Sequence, residues 1–190
     1  MVFGVTGAIG SGKSSLMKLF SQAGFFCFDA DAVCKELLTT QVVTDKCVEK
    51  WGVKILDDKG QLSRPAIADI VFTDSTQLDY LTSILYPELE KRLLFSIEEC
   101  KKNNINGAFE LPLLYECGFE KYFDKIVCIY TSKSIRRKRL EQKRNISNNE
   151  AARREAKQLS AEIKLEKADY AIINNGTEEE LLRQFNLVFK

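Results

Sequence analysis

The sequence predicts an α/β protein in which helices cover both faces of a parallel, five-stranded sheet. Three observations predict this three-layer class. Apolar segments of strand length alternate with longer segments of helical periodicity. The first of them, VFGVT (2–6), runs into a glycine-rich loop and then a helical pattern, which is how a parallel sheet commonly opens. The 190 residues, 45% of them hydrophobic, suit one domain with inserted segments.

The elements are predicted in order along the chain. Strands are expected at 2–6, 25–28, 107–114, 125–131 and 170–174. Helices are expected at 13–24, over most of 32–102 apart from an interruption at 53–64, at 132–147, at 147–166 and after residue 177. Ser147 with Glu150, and Thr177 with Glu180, fit capping boxes, which is why helices are expected to begin there.

Composition excludes several classes of function. The absence of histidine removes Ser-His-Asp hydrolysis, His-ligated zinc and imidazole acid–base chemistry. A net charge of +1 does not favour a nucleic-acid partner, and the apolar segments are too short for a membrane span. The six cysteines form no C-x-x-C pair, so we expect reduced thiols in a cytoplasmic protein. Oligomeric state has no signal in the sequence.

Residues 7–14 match the phosphate-binding pattern G-x-x-x-x-G-K-[ST] at every fixed position, between a predicted strand and a predicted helix. The glycines let backbone N–H groups point at phosphate oxygens, and the helix N-terminus adds a positive dipole end. Lys13 would reach the β- and γ-phosphates of ATP, and Ser14 would place its hydroxyl on Mg²⁺. The alternative is a glycine-rich turn without a ligand. The predicted ATP contacts here are Ala8, Ile9, Gly10, Ser11, Gly12, Lys13, Ser14 and Ser15.

The rest of the chain favours a small P-loop kinase over other phosphate-loop proteins. A guanine-reading N/T-K-x-D loop is absent from the sequence. A strongly basic helix fits an arginine-rich lid that would exclude water from the reaction. Its residues form two stripes at helical spacing: the cations Arg136, Arg139 and Lys143, and beside them Arg137, Leu140 and Arg144. A solvated basic face or a nucleic-acid patch is the alternative for this helix.

FDAD (28–31) supplies carboxylates at the end of the second predicted strand. Because strand residues at i and i+2 face the same side, Asp29 and Asp31 are expected to point together into the site. One of them could accept or orient the proton of an acceptor hydroxyl. The alternative role for Asp31 is to cap the next helix.

Seven segments resemble the dephospho-CoA kinase family across nearly the whole chain. They are TGAIGSGKSS, DADAVCKEL, LSRPAIADIVF (62–72), LYPELE (85–90), ELPLLYE (110–116), RLEQKR (139–144) and EKADYAIINNG (166–176). The resemblance implies ATP-dependent phosphorylation of the ribose 3′-hydroxyl of dephospho-CoA, the last step of coenzyme A synthesis. It also implies a P-loop NTPase fold of one domain, with a core at 1–31, 104–131 and 167–190, an acceptor-binding helical insertion at 32–103 and a lid at 132–166.

The resemblance further implies roles for individual residues. Asp31 matches the general base, Arg139 the lid arginine and Lys13 the loop lysine. Asn175 and Gly176 match a segment that borders adenine, for which a simple turn is the alternative. The residues in acceptor-side stretches are Arg64, Tyr86, Pro112, Leu113, Leu114 and Glu116, and the last four could instead form only a strand-end turn with core leucines.

Some positions depart from the family pattern. Tyr86 stands where histidine is common, Lys35 where arginine is frequent, and Arg136 where glutamine is common. Tyr86 can still bind by a hydrogen bond or by stacking. Two rival hypotheses remain open: a P-loop kinase with a nucleoside monophosphate or small metabolite as acceptor, and a regulatory nucleotide-binding protein whose basic helix contacts nucleic acid.

Overall fold

The computed structural model describes residues 1–144 and 146–189, apart from the side chains of 72, 73, 75, 143 and 144. Lys143 and Arg144 of the predicted basic stripes therefore lie outside the described side chains. The chain divides into an α/β unit, formed by residues 1–29 and the chain from 96 onward, and a helical unit, formed by residues 30–95.

Five strands form one sheet in the order β2-β3-β1-β4-β5, and every neighbouring pair is parallel. The strands are β1 (Val2–Thr6), β2 (Phe26–Asp29), β3 (Gly107–Glu110), β4 (Lys125–Tyr130) and β5 (Tyr170–Ile173). The predicted parallel α/β class is confirmed. Because all five strands run the same way, their carboxyl ends meet at one edge of the sheet, where α/β proteins bind ligands.

The third strand is shorter than the predicted 107–114. The N–H of Leu111 still donates to the carbonyl of Val5 at 2.9 Å, but the next residue is Pro112. Proline has no N–H to continue the ladder, so the chain leaves the sheet at this point. The leucines that follow therefore lie in a turn and not in a strand.

The helices are α1 (Lys13–Gln22), α2 (Ala30–Leu37), α3 (Gln41–Trp51), α4 (Arg64–Thr73), α5 (Ser75–Lys102), α6 (Lys133–Arg144), α7 (Asn148–Glu155), α8 (Ala161–Lys167) and α9 (Glu178–Phe189). Short 3₁₀ turns occur at Val53–Ile55 and Phe119–Tyr122. Among the described residues, none of these helices combines the length and apolar character that a bilayer crossing needs.

The single helix predicted at 147–166 is wrong, because two helices form there. The hydroxyl of Ser160 accepts from the N–H of Ile163 and caps a second helix, α8, after a break at residues 156–160. The box at Thr177 is complete, since Thr177 and Glu180 exchange both hydrogen bonds. At Ser147 the hydroxyl accepts from the N–H of Glu150, while the Glu150 carboxylate pairs with Arg154.

Aromatic side chains hold α1 and α9 against the sheet. Phe20 of α1 is fully buried, with its ring 5.0 Å from that of Phe185 on α9 and 6.2 Å from that of Phe3 on β1. Burying one such side chain contributes about 1.5–3 kcal/mol. This packing fixes the direction of α1, and with it the helix N-terminus that follows the glycine-rich loop.

The helical unit has its own internal contacts. The indole N–H of Trp51 donates to the side-chain carbonyl of Gln77 at 2.8 Å, and its ring meets that of Tyr80 edge to face. The interruption predicted at 53–64 contains a 3₁₀ turn and an antiparallel bridge between Leu56 and Leu62. It ends at Ser63, whose hydroxyl caps α4.

Candidate active site

The phosphate loop joins the end of β1 to α1 and has a backbone shape that only glycine adopts readily. Gly12 has φ +97°, in the left-handed region, and a Cβ there would lie 2.2 Å from the side-chain nitrogen of Asn174. Gly7 has φ +154°, and a Cβ would lie 2.4 Å from the carbonyl oxygen of Ile129. Positive φ and close approach thus both require these glycines. The loop leads into the N-terminus of α1, and helix N-termini are positions that can bind anions.

Lys13 lies across this loop. Its ammonium donates to the carbonyls of Gly7 at 3.0 Å and Ala8 at 3.4 Å, so the charge is held where phosphates would enter. Ser14 and Ser15 follow in the first turn of α1 with exposed side chains. The contacts of these three residues with ATP remain a prediction.

The loop is anchored by two polar residues, Thr131 and Asn174, that were not among the predicted site residues. The carbonyl of Ser11 accepts from the amide nitrogen of Asn174 at 2.8 Å and lies 2.9 Å from the hydroxyl of Thr131. That hydroxyl also lies 3.0 Å from the carbonyl of Asn174. Thr131 and Asn174 are buried and directly follow β4 and β5. Their position after predicted strands was the one available signal.

Arg139 of α6 also contacts this anchor. Its guanidinium donates to the Thr131 hydroxyl at 3.4 Å, and its side chain is half-buried. Of the α6 arginines whose side chains are described, it is the one without a carboxylate partner. The lid-arginine role remains a prediction, and these contacts leave most of its donors available for a phosphoryl group.

Arg136 lies on the same side of α6 as Arg139, since both contact Thr131, but it is buried and does not face a ligand site. Its side chain is 5% exposed and donates to the carbonyls of Thr131 at 3.0 Å and Ile9 at 3.4 Å. The guanidinium also pairs with the carboxylate of Glu155 on α7. The stripe that presents Arg136 with Arg139 to a ligand is therefore corrected, because helical spacing alone does not show which flank packs inward.

The strand argument for the carboxylates is also corrected. Asp29 is the last residue of β2 and lies in register with Glu110, the last residue of β3. Asp31, in contrast, lies in the first turn of α2, since the helix begins at Ala30. Alternation of strand side chains therefore does not apply to Asp31, whose side chain is exposed. A negative charge in the first turn of a helix interacts favourably with the helix dipole and stabilises the helix.

The predicted acceptor residues fall into three groups. Arg64 is the exposed first residue of α4, and Tyr86 lies half-buried within α5. Pro112 and Leu113 are half-buried in the turn after β3. The Leu114 side chain is fully buried, as the alternative of a turn with core leucines expects.

Glu116 has protein partners. Its carboxylate accepts from the ammonium of Lys164 at 2.9 Å and from the N–H of Leu159 at 2.7 Å. Lys164 is fully buried and also donates to the carbonyl of Pro112 at 2.5 Å. These contacts tie the turn after β3 to α8. A role for Glu116 in binding the acceptor stays a prediction, and the ion pair with Lys164 does not support it.

Asn175 and Gly176 lie just past β5, next to the anchor residue Asn174. The side-chain oxygen of Asn175 accepts from the N–H of Ser132 at 2.9 Å, immediately before α6. Gly176 is exposed and lies in the bend that leads to α9. The structure thus gives Asn175 a local backbone partner, and adenine contact by these two residues remains a prediction.

Nearby thiol and phenol groups do not offer a nucleophile at neutral pH. Burial raises the pKa of Cys128, which pairs in register with Thr6, to about 11. Burial likewise raises the pKa of Tyr115 to about 12. Both groups therefore stay protonated near neutral pH.

Comparisons with known proteins agree with this arrangement. The family model described as dephospho-CoA kinase matches residues 1–180. The dephospho-CoA kinase of Enterococcus faecalis is 34% identical over 184 residues, which are 96% of this chain and 92% of that protein. The dephospho-CoA kinase of Corynebacterium efficiens is 35% identical over 183 residues, which are 95% of this chain and 92% of that protein.

Solved structures give the same result for the fold. The dephospho-CoA kinase from Campylobacter jejuni superposes with a TM-score of 0.76 at 26% identity, over 98% of this chain and 94% of that one. TT1252 from Thermus thermophilus superposes with a TM-score of 0.78 at 28% identity, over 99% of this chain and 95% of that one. Because the family model spans almost all of the sequence and includes the phosphate loop, the chain belongs to the dephospho-CoA kinase family.

Proposed function

We propose that this protein transfers the γ-phosphate of ATP to the 3′-hydroxyl of the ribose of dephospho-CoA, giving coenzyme A and ADP. The observation that carries the proposal is the family match over residues 1–180. The family is one of ATP-dependent kinases, and its reaction completes coenzyme A biosynthesis. The phosphate loop and the ammonium of Lys13 supply the donor side of such a reaction.

The donor side works by holding charge. Backbone N–H groups of the loop and the N-terminus of α1 would bind the phosphates of ATP. Lys13 would exchange its contacts with the carbonyls of Gly7 and Ala8 for phosphate oxygens, which are stronger partners because they are charged. Arg139 would meet the charge on the transferring phosphoryl group, since its planar fork is always charged.

We also propose that the reaction uses Mg²⁺, held by Ser14 together with the nucleotide. The exposed hydroxyl of Ser14, in the first turn of α1, is an oxygen ligand of the kind that Mg²⁺ takes. Among the described residues, no group of three or more Cys, Asp or Glu side chains is placed to hold a metal ion. When bound, the ion would neutralise phosphate charge.

On the acceptor side we assign the general-base or orienting role to Asp31. An exposed carboxylate in the first turn of a helix can accept a hydrogen bond from a ribose hydroxyl and orient it for in-line attack. Asp29 is the competing candidate, because it ends β2 at the sheet edge. Arg64, Tyr86, Pro112 and Leu113 remain proposed acceptor contacts, whereas the buried Leu114 side chain packs in the core.

A coupled ADP-release assay tests the proposal. The purified protein, with Mg-ATP, is offered dephospho-CoA, AMP, CMP or adenosine, and Asp31→Asn is compared with Asp29→Asn. We expect turnover on dephospho-CoA alone, and a loss of about 10²- to 10⁴-fold in kcat for Asp31→Asn. A loss confined to Asp29→Asn would move the role to the other carboxylate. Turnover on another acceptor would discard dephospho-CoA as the substrate.

The rival of a regulatory nucleotide-binding protein makes a different prediction. It expects ATP binding without turnover on any acceptor, and polynucleotide affinity that falls steeply with salt. The commitment of Arg136 and Arg137 to Glu155 counts against a nucleic-acid face on α6. A cytoplasmic location and the lack of a nucleic-acid partner remain predictions from composition.

A further inference from the structure

Arg136 is a buried cation in α6, where the other cations with described side chains are more exposed. The side chain is 5% exposed, and its guanidinium donates through Nε to the carbonyl of Thr131 and through Nη1 to the carbonyl of Ile9. Ile9 lies inside the phosphate loop, and Thr131 follows β4 next to it. A buried guanidinium needs a counter-charge as well as acceptors. The residue that supplies it comes from another helix.

Glu155, the last residue of α7, provides that counter-charge. Its carboxylate pairs through one oxygen with Arg136 and through the other with Arg137. Arg137 also donates to the carbonyl of Asn148, at the start of α7, at 2.6 Å. One carboxylate therefore holds two consecutive arginines of α6 and fixes α6 against α7.

The phosphate loop is in direct contact with α6. The Ile9 side chain packs against an apolar cluster of Leu140, Ile146 and Ala151, which lie on α6, after it and on α7. The Ile9 carbonyl is held by Arg136. Loop backbone and loop side chain are thus both attached to the α6–α7 pair. A change in the orientation of Arg136 would alter the direction of a loop whose N–H groups must converge on phosphate.

We propose that Glu155 and Arg136 are positioning residues for ATP: the Glu155–Arg136 pair orients the carbonyls of Ile9 and Thr131, and with them the phosphate loop. Neither side chain needs to touch the nucleotide. Because Glu155 keeps Arg136 and Arg137 in ion pairs, Arg139, beside the Thr131 hydroxyl, is the one α6 arginine with a described side chain that is left for the phosphoryl group. The proposal rests on the proposed kinase function for its meaning, but not for its test.

The test compares Glu155→Gln with Glu150→Gln. Both residues are α7 carboxylates paired with arginine. The Glu150–Arg154 pair lies on the surface, with side chains 44% and 48% exposed, whereas Glu155 pairs with the buried Arg136. Affinity for a fluorescent ATP analogue is measured without acceptor, at a temperature well below both melting points. We expect Glu155→Gln to weaken nucleotide binding on the order of tenfold, and Glu150→Gln to leave it unchanged.

Kinetics separate positioning from a merely structural role. In the ADP-release assay with dephospho-CoA, Glu155→Gln should raise KM for ATP more than it lowers kcat, whereas Arg139→Lys should lower kcat. Adding Arg136→Gln to Glu155→Gln should cause little further loss of nucleotide affinity, because the two residues act as one unit. Equal nucleotide affinities for Glu155→Gln, Glu150→Gln and the parent protein would overturn the proposal, whatever the change in melting temperature.

A second variant keeps the test decisive where Glu155→Gln does not fold. Arg136→Lys retains a positive charge for Glu155 but loses the planar fork that reaches two carbonyls. We expect it to fold and to bind the ATP analogue several-fold more weakly, and unchanged affinity would overturn the proposal. Since binding is measured without acceptor, absence of turnover on dephospho-CoA would refute the proposed substrate and leave this result intact.

Discussion

The side-chain amide of Asn174 donates to the backbone carbonyl of Ser11 at 2.8 Å, joining two residues that are 163 positions apart in the chain. The bond ties the end of β5 to the phosphate loop that follows β1. Asn174 is buried, and its own N–H donates to the carbonyl of Tyr130 at the end of β4. The loop is therefore anchored to the two strands on one side of β1.

We expect Asn174→Ala to lower the free energy of unfolding by about 1–3 kcal/mol, because it removes the donor from a buried carbonyl. It should also raise KM for ATP. Asn175→Ala is the matched control, since the neighbouring side chain accepts from the N–H of Ser132 instead. Urea unfolding and ATP kinetics measure both variants. A larger rise in KM for Asn175→Ala would support the adenine contact predicted for that residue and contradict the anchor.

Gly12→Ala should be much more harmful than another glycine-to-alanine change at positive φ. A left-handed backbone costs alanine about 1–2 kcal/mol, and at Gly12 the new Cβ would also meet the Asn174 nitrogen at 2.2 Å. Gly24 has φ +84° with nothing within 4 Å of a Cβ, so Gly24→Ala isolates the backbone contribution. We expect Gly12→Ala to lose nucleotide binding and Gly24→Ala to keep it. Equal effects in a binding assay would show that the close approach does not matter.

Lys164 is a buried cation held by Glu116 and the carbonyl of Pro112. Lys164→Met leaves a carboxylate without its charge partner and should cost about 3–5 kcal/mol of stability. The double variant Lys164→Met/Glu116→Gln should recover part of that loss, because no unpaired charge remains. Thermal unfolding of the two variants measures the difference. If Lys164→Met is as stable as the parent protein, the ion pair contributes nothing to stability. If the turn after β3 binds the acceptor, KM for dephospho-CoA should rise as stability falls.

Asp169 links the starts of β4 and β5 and gives stability a dependence on pH. Its carboxylate accepts from the ammonium of Lys125 and the N–H of Ile126, each at 2.8 Å, and these contacts hold its pKa below the ordinary value. Because the pKa of Asp169 is lower in the folded than in the unfolded protein, its carboxylate stabilises the fold at pH values above the unfolded pKa of about 4. That contribution is lost as the pH falls through the pKa of the folded state.

Asp169→Asn should therefore be less stable than the parent protein at pH 7, and the two should converge as the pH falls below about 4. Urea midpoints at a series of pH values measure the difference. The exposed Glu150→Gln variant serves as a control for a carboxylate in a helical pair. A stability difference that stays constant down to pH 2 would show that the charge of Asp169 is not what stabilises the strand pair.

Asp31 shows the limit of what local sequence patterns predict. The order of strand, loop, helix and strand at the N-terminus was predictable, because each element has its own periodicity and the loop has a fixed motif. The position of Asp31 was not, because its side chain depends on whether the strand ends before or after it. The strand ends at Asp29 and the helix begins at Ala30, two residues too early for the strand argument. Strand alternation applies only to residues within a strand.

Local sequence was enough to predict the parallel α/β class, the phosphate-loop motif with Lys13 and Ser14, and the complete capping box at Thr177, since these depend on neighbouring residues and backbone preferences. Which cations are committed to partners depends instead on how the chain folds. Arg136 meets Glu155 from 19 positions away, and Lys164 meets Pro112 from 52. Helical spacing shows that side chains share a face, but burial decides what that face contacts, because a charge leaves water only where packing supplies its partner.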